Sequence, residues 1–299
     1  MLIRESKSRK IFNVCNIVIM LGISATVLFP YLNIFAKAFN EGKDTARGGI
    51  TIFPRVFTLD NFQAVLGDAN FTRAAVNTVA ITVLGTFIGL LVQFVTAYVF
   101  MHKHFMGHKV LFILFLIPMY IGGGIIPRYI LYSKIGLMNN FLVYILPGCF
   151  STYNMIILRS YMESVPTSLA ESAKVDGANH LTIAFRIILP LCKPVLATVG
   201  LWLAVAHWNE WQNTLYYVTK KSLYTMQYVL MQVLKEAEKI QQILREAQMR
   251  GEMLELQTEI TTEAVRSAQL VVTTMPIILV YPFLQKYFIA GVTLGAVKD

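Results

Sequence analysis

Charge is what this chain has least of. Only 14% of its 299 residues are charged while 56% are hydrophobic, which is about half the charged share of an ordinary soluble domain. That balance excludes a soluble globular fold and makes the chain an integral membrane protein. Cysteine is scarce too: Cys15 and Cys149 lie within apolar runs and Cys192 at the start of one. Their spacing is unpaired, so neither a disulfide framework nor a metal site is implied. No Gly-x-x-x-x-Gly-Lys-Ser/Thr phosphate loop occurs anywhere, and neither a catalytic triad nor a metal-binding motif is present; any ATP must be bound by another chain. The net charge of +9 would suggest nucleic acid in a soluble protein. Here the basic residues sit at the ends of apolar runs, where they meet lipid headgroups, and no nucleic-acid partner is expected.

What is abundant is apolar length. Six runs reach spanning size, with approximate limits Ile11–Phe35, Ala75–Met101, Val110–Ile126, Phe141–Leu158, Val195–Tyr217 and Leu270–Phe288. Each can cross a hydrocarbon core of roughly 30 Å at about 1.5 Å per residue. The bilayer offers backbone amides no partners, so each run must be a helix. Arg4, Lys7, Arg9 and Lys10 precede the first run, as in a signal peptide. That run is long enough to span and ends in no clear cleavage pattern, so it reads as a retained first span. Six spans place both termini on one side, together with the polar stretch between spans four and five.

That stretch is Pro166-Thr167-Ser168-Leu169-Ala170-Glu171-Ser172-Ala173-Lys174-Val175-Asp176-Gly177, running on to Ile187-Ile188-Leu189-Pro190. Ser168 followed three residues later by Glu171 is a capping-box pattern, and Gly177 supplies a left-handed residue on which a helix of about two turns can stop. A second helix then leads to Pro190. The spacing from Glu171-Ser172-Ala173 through Gly177 to Ile187-Ile188-Leu189-Pro190 resembles the EAA loop of ABC importer permeases, with Ser172 replacing the usual alanine. The resemblance implies an all-α integral membrane protein with six transmembrane helices of the ABC importer permease type. Residues 1–299 would form a single transmembrane permease domain. In that family the loop is a cytoplasmic coupling helix docked on a separate ATPase, so both termini would be cytoplasmic. Ser168, Glu171, Ser172, Ala173, Asp176, Gly177, Ile187, Leu189 and Pro190 would then carry the coupling. The short turn from Met101 to Val110 and the N-terminus are basic and agree with that orientation; the opposite side holds slightly more basic residues, mostly in two long loops.

Polar groups inside the spans are the candidates for a pathway. Span five is the richest, with His207, Trp208, Asn209, Glu210, Trp211, Gln212 and Asn213. Glu210 lies roughly 24 Å along the helix from Pro194. A carboxylate at that depth needs a partner or water and marks a functional site by default. Planar polar groups beside aromatic faces suit a sugar; the other reading is an interfacial aromatic belt. Asn154 in span four points either to an inner path or to interhelical packing. Asn77 reads as a capping or interhelical hydrogen-bonding group rather than a substrate ligand. His102, His104 and His108 lack a carboxylate or cysteine neighbour and suit an interfacial belt better than a metal. In span three, Pro118 and Gly122-Gly123-Gly124 permit close helix approach or a local bend.

Residues 218–268 form an extracytoplasmic excursion that is charged but near neutral. Leu230, Leu234, Ala237, Ile240, Leu244 and Ala247 mark one face of an amphipathic helix that pauses near Gly251. The tail containing Tyr287, Gly291, Thr293 and Gly295 is similar to that of carbohydrate-type (maltose-type) permeases, as is Asn209-Glu210-Trp211-Gln212-Asn213. By that resemblance the tail contacts the ATPase, and the chain imports an oligosaccharide, acidic or neutral, across the bacterial cytoplasmic membrane. The partners implied are a second related permease, an ATPase dimer holding ATP and Mg, an extracytoplasmic solute-binding protein and membrane lipid. The chain itself would carry no cofactor and would not be an enzyme. The competing readings are a secondary carrier driven by an ion gradient, which would want more ionisable groups in the spans, and a membrane scaffold whose outer helix recruits a partner.

Overall fold

The structure, a computed structural model, describes residues 7–103, 105–249 and 262–296. The described residues form helices and turns, with one isolated antiparallel bridge between Asn40 and Phe57. The helices include α1 (Lys7–Ala38), α2 (Ala69–Met101), α3 (His108–Tyr120), α4 (Ile125–Lys134), α5 (Thr152–Glu163), α6 (Thr167–Val175), α7 (Lys193–Trp208), α8 (Gln212–Tyr217), α9 (Met226–Met249) and α10 (Thr262–Ala296). Among the described residues, three helices are long and apolar enough to cross a membrane alone: Lys7–Ala38, Ala69–Met101 and, within α10, Glu263–Pro282. Three bent pairs bring the number to as many as six if each pair is one span.

The bent pairs differ from the unbroken spans that apolar length predicts, and backbone chemistry explains each. The expected span Val110–Ile126 stops at Tyr120 and turns by 119° into α4. Gly124 takes φ +79° at the turn, and a Cβ at Gly122, Gly123 or Gly124 would meet nothing within 4 Å. The glycine triplet therefore makes a bend and not a close approach. The expected span Phe141–Leu158 starts as two 3-10 turns, Phe141–Tyr144 and Leu146–Gly148, and bends by 47° into α5. The helix leading to Pro190, His180–Leu191, includes a π-turn at Ile183–Ile188 and meets α7 at 83° around Cys192, just before the fifth expected span. Pro190 and Pro194 flank that joint and supply no amide donors. The fifth expected span, Val195–Tyr217, is itself interrupted once: α7 stops at Trp208 instead of running through to Tyr217.

The unit formed by Ala69–Met231 with Met275–Asp299 holds the principal core. Phe94, Ala97, Tyr98 and Phe100 of α2 pack with Met155, Leu158 and Met162 of α5, with Ile183, Ile188 and Cys192, and with Val195, Val199 and Leu203 of α7. Lipid is as apolar as leucine, so close van der Waals packing must hold such helices together. Glycines provide it: a Cβ on Gly89 would lie 3.2 Å from Leu203 Cδ1, and one on Gly200 would lie 3.1 Å from Leu90 Cδ1.

The unit formed by Met1–Asp68 with Gln232–Thr274 is organised by buried asparagines. Asn40 Oδ1 accepts from the amides of Arg55 (2.7 Å) and Val56 (2.8 Å), and its Nδ2 donates to Asp44 Oδ2 (3.0 Å) and Thr45 Oγ1 (3.0 Å). Asn61 donates to the carbonyls of Ala38 and Asn40. Lys37 pairs with Glu263 at 2.7 Å.

Candidate functional site

Two neighbourhoods follow from this fold, one at the loop around Gly177 and one at the break after Trp208. In the loop, α6 closes as a Schellman motif. The Gly177 amide donates to the Lys174 carbonyl (3.0 Å) and the Ala178 amide to that of Ala173 (2.9 Å), with Gly177 at φ +82°. This pairing satisfies carbonyls that a helix end leaves orphaned. Asn179 then caps the next helix by accepting from the Thr182 amide at 2.8 Å. The expected capping box is corrected at the other end. The cap position is Pro166, with no side-chain cap bond, and Ser168 already lies inside the helix. The fixed φ of Pro166 (−55°) starts the helix before Ser168 can take the extended conformation that a cap requires. Glu171, freed from that duty, is exposed.

Ala170 and Ala173 pack against the core, while Ser168, Ser172 and Asp176 are exposed. Leu169 is 44% and Val175 88% exposed. Between α6 and the end of α2 runs a groove of about 750 Å³ whose charged and polar walls include His102, Lys103, Glu163, Glu171 and Lys174. Ile188 is buried, whereas Ile187 and Leu189 pack against the core from its edge and Pro190 is exposed. His102 Nδ1 lies 2.9 Å from the Tyr98 carbonyl and His108 Nε2 3.3 Å from that of Phe100; His104 lies outside the described residues.

At the break, Glu210 works as a cap. Its Oε1 accepts from the Asn213 amide (2.8 Å) and its Oε2 from Asn213 Nδ2 (2.9 Å), so both oxygens serve the first turn of α8. Asn209 donates back to the Val205 carbonyl at 2.8 Å. Asn209 and Gln212 are exposed, Trp211 and Asn213 half-buried, and His207 buried. Asn154 is buried in the first turn of α5, where its amide donates to Ser151 Oγ at 3.4 Å.

Beyond α8 the chain is clamped from several sides. Tyr144 Oη lies 2.9 Å from Thr214 Oγ1 and donates to the Leu223 carbonyl at 2.9 Å, and Thr214 meets Thr225 at 3.0 Å. Asn77 donates to the carbonyls of Ser222 and Tyr224, and the Met226 amide donates to Thr78 Oγ1. Asn139, at φ +54°, accepts from the amides of Thr219 (2.7 Å) and Lys220 (3.0 Å). Asn77 thus serves as a protein hydrogen-bonding group, donating to two backbone carbonyls.

A helical fold with candidate membrane spans and a helix closed at Gly177 has a counterpart among known proteins. The profile of the family described as binding-protein-dependent transport system inner membrane component matches residues 107–294. The chain belongs to this family. This inner membrane component is 35% identical to Protein LplC of Bacillus subtilis (strain 168), across 98% of the chain and 97% of that protein. It is 30% identical to the polygalacturonan/rhamnogalacturonan transport system permease protein YtcP of the same organism, across 93% and 95%. Its fold is similar to a crystal structure of a bacterial ABC transporter involved in the import of the acidic polysaccharide alginate: TM-score 0.85, 27% identity, 96% of this chain and 99% of that one. It is an ABC importer permease.

In the permease, Tyr287, Gly291, Thr293 and Gly295 belong to α10, which stays helical to Ala296; their side chains lie outside the described residues, as does the expected pause at Gly251. Sequence reasoning missed Gly85 and Gly89, although their four-residue spacing is a small-residue packing signal. It also missed the Tyr144–Thr214–Thr225 clamp, which joins segments distant in sequence and leaves no local pattern.

Proposed function

We propose that this ABC importer permease is one of two related permease subunits that carry an acidic oligosaccharide into the bacterial cytoplasm. Three self-sufficient helices and three bent pairs are counted as six spans, with both termini and residues 166–190 on the cytoplasmic side. The observation that carries the coupling assignment is the surface of α6. A helix closed by a Schellman motif holds its alanines inward and leaves Leu169, Val175 and Glu171 uncovered by the other described residues. Exposed apolar groups on a polar, rigidly ended helix suit a docking partner, and a separate ATPase dimer holding ATP and Mg is that partner. Leu169, Glu171, Ser172 and Val175 form the contact; Ala173, Asp176 and Gly177 shape it, and Ile187 to Pro190 tie it to the spans.

For the cargo, the supporting facts are names: YtcP transports polygalacturonan or rhamnogalacturonan, and the solved neighbour imports alginate. Uronic-acid polymers are common to both. The clamped outer segment presents Lys220 and Lys221 in exposed positions, which suits carboxylates arriving from a solute-binding protein. Transport then follows from differential contacts. The ATPase dimer grips α6 in two arrangements, and each favours one orientation of the pathway.

The test is uptake by the reconstituted complex with its binding protein, over neutral and uronic-acid oligosaccharides. Uptake should require ATP, favour the uronic acids and survive collapse of ion gradients. Uptake driven by an ion gradient without ATP would overturn the proposal.

A further inference from the structure

His207 was expected among the groups that meet substrate, yet only 6% of it is exposed. Its imidazole lies in a slot made by two glycines. A Cβ on Gly85 of α2 would come within 2.5 Å of Nε2, 2.7 Å of Cε1 and 2.8 Å of Cδ2 of the ring, and a Cβ on Gly148 within 3.3 Å of Cε1. Real Cβ atoms do not approach so closely, so any side chain at position 85 must push the ring away. Glycine in a helix interior is otherwise unfavourable relative to alanine, and the ring supplies the reason for Gly85.

The position of His207 along the chain gives the slot its consequence. The residue lies in the last turn of α7, one position before its end at Trp208; its carbonyl accepts the Glu210 amide at 3.2 Å, and the helix breaks one residue later. On the far side of the break, α8 is fixed by the Tyr144–Thr214 bond. Residues 209–213 are therefore suspended between a locked ring and a locked hydroxyl. We propose that His207 is a positioning residue of the sugar pathway: its ring, held between Gly85 and Gly148, sets the height and rotation at which Asn209 to Asn213 face the oligosaccharide. This rests on the reading of the chain as a sugar permease.

Three variants in the complete transporter test it: Gly85→Ala, His207→Ala and the two combined. Two readouts are needed, ATP-driven oligosaccharide uptake and the rate at which a membrane-impermeant maleimide labels Gln212→Cys, taken as the increment over the chain without that cysteine. Gly85→Ala, ordinarily a favourable helix substitution, should lower uptake about tenfold, since groups aligned for a task lose much of their effect on misplacement by about 1 Å. It should change Gln212→Cys labelling in parallel. In the double variant the methyl no longer meets a ring, so both readouts should return toward those of His207→Ala alone, the non-additivity expected of groups in contact. Unchanged uptake and labelling in Gly85→Ala overturn the proposal, as does a double variant no better than Gly85→Ala. If Gly85→Ala does not assemble, restored assembly in the double variant supports the slot and its failure refutes it. Absence of sugar uptake by the unsubstituted complex refutes the transport reading instead, while the labelling series still reads the slot.

Discussion

Substitution of Gly177 separates the two things that residue does. It sits at φ +82° with nothing within 4 Å of a built Cβ, so Gly177→Ala has no steric neighbour to displace. Only the backbone term remains, about 1–2 kcal/mol for an L side chain in the left-handed region. Asn tolerates that region better, so Gly177→Asn should cost less. Proline fixes φ near −65° and removes the amide that bonds to Lys174, a combined cost of roughly 3 kcal/mol or more. Each 1.4 kcal/mol is about a tenfold change in an equilibrium. The ratio of closed to frayed helix ends should therefore fall about tenfold for Ala and more than about a hundredfold for Pro. The assay is retention of the ATPase subunit on affinity-purified permease, paired with binding-protein-stimulated ATP hydrolysis in proteoliposomes. The expected order is Gly, Asn, Ala, Pro, with equal membrane insertion throughout. Wild-type hydrolysis in Gly177→Pro, or Asn ranking below Ala, would refute the reasoning.

Val175→Asp changes a residue that is 88% exposed, so folded stability should move by no more than about 0.5 kcal/mol; pull-down of the ATPase should nevertheless fail, and full retention would remove Val175 from the contact. Glu210→Ala deletes both acceptors of Asn213 and should cost about 1 kcal/mol at the start of α8. Uptake should suffer more than the yield of assembled complex, with Glu210→Gln intermediate; unchanged uptake in both would take Glu210 out of the pathway region. In the unit organised around Asn40, the hydrogen bond from Asn40, aided by Arg55, holds the Asp44 carboxyl below its ordinary 3.8. A lowered carboxyl contributes stability above its ordinary range and loses it as pH falls through the lowered value. Protection of the amides across residues 40–58, measured against the unfolded chain at the same pH, should therefore fall only below about pH 4. Protection lost already near pH 6, or unchanged in Asp44→Asn at neutral pH, would show that another group holds the loop.

Much of this was legible in the sequence because the membrane imposes a simple rule: an apolar run of sufficient length must be helical. That rule located the apolar segments, and the spacing around Gly177 located a helix end correctly to the residue. It said nothing of continuity. Apolar length reports depth in lipid, whereas breaks depend on where amides are missing or a left-handed residue is available, as at Gly124. The capping box failed for a related reason, since two acceptable N-terminal signals competed and Pro166 lay first. The clamp of Asn139, Tyr144 and Thr214 was illegible because its hydrogen bonds join segments far apart in the chain, and nothing in local composition distinguishes a clamping threonine from a solvated one.

Those breaks alter how polar residues inside apolar runs are to be interpreted. A helix that ends at membrane depth leaves amides without water to bond, so a nearby side chain must accept them. Asn140 Oδ1 accepts from the Leu142 amide at 3.0 Å, Ser151 Oγ from Asn154 at 3.4 Å, and Glu210 Oε1 from Asn213 at 2.8 Å. Glu210 looks like a pathway group in the sequence, yet like Asn140 and Ser151 it has a backbone duty at a helix start. Sugar ligands are then to be sought among polar groups beside the breaks whose side chains do not cap. Gln212 meets that description: it is exposed and lies in the segment suspended between His207 and Thr214. Gln212→Ala should leave complex yield and ATP hydrolysis near wild type while changing the ratio of uronic-acid to neutral oligosaccharide uptake by about threefold or more, the effect of roughly one lost hydrogen bond. Glu210→Gln should instead lower uptake of both sugars alike. A changed sugar ratio in Glu210→Gln with an unchanged ratio in Gln212→Ala would reverse the assignment and return the ligand role to the carboxylate.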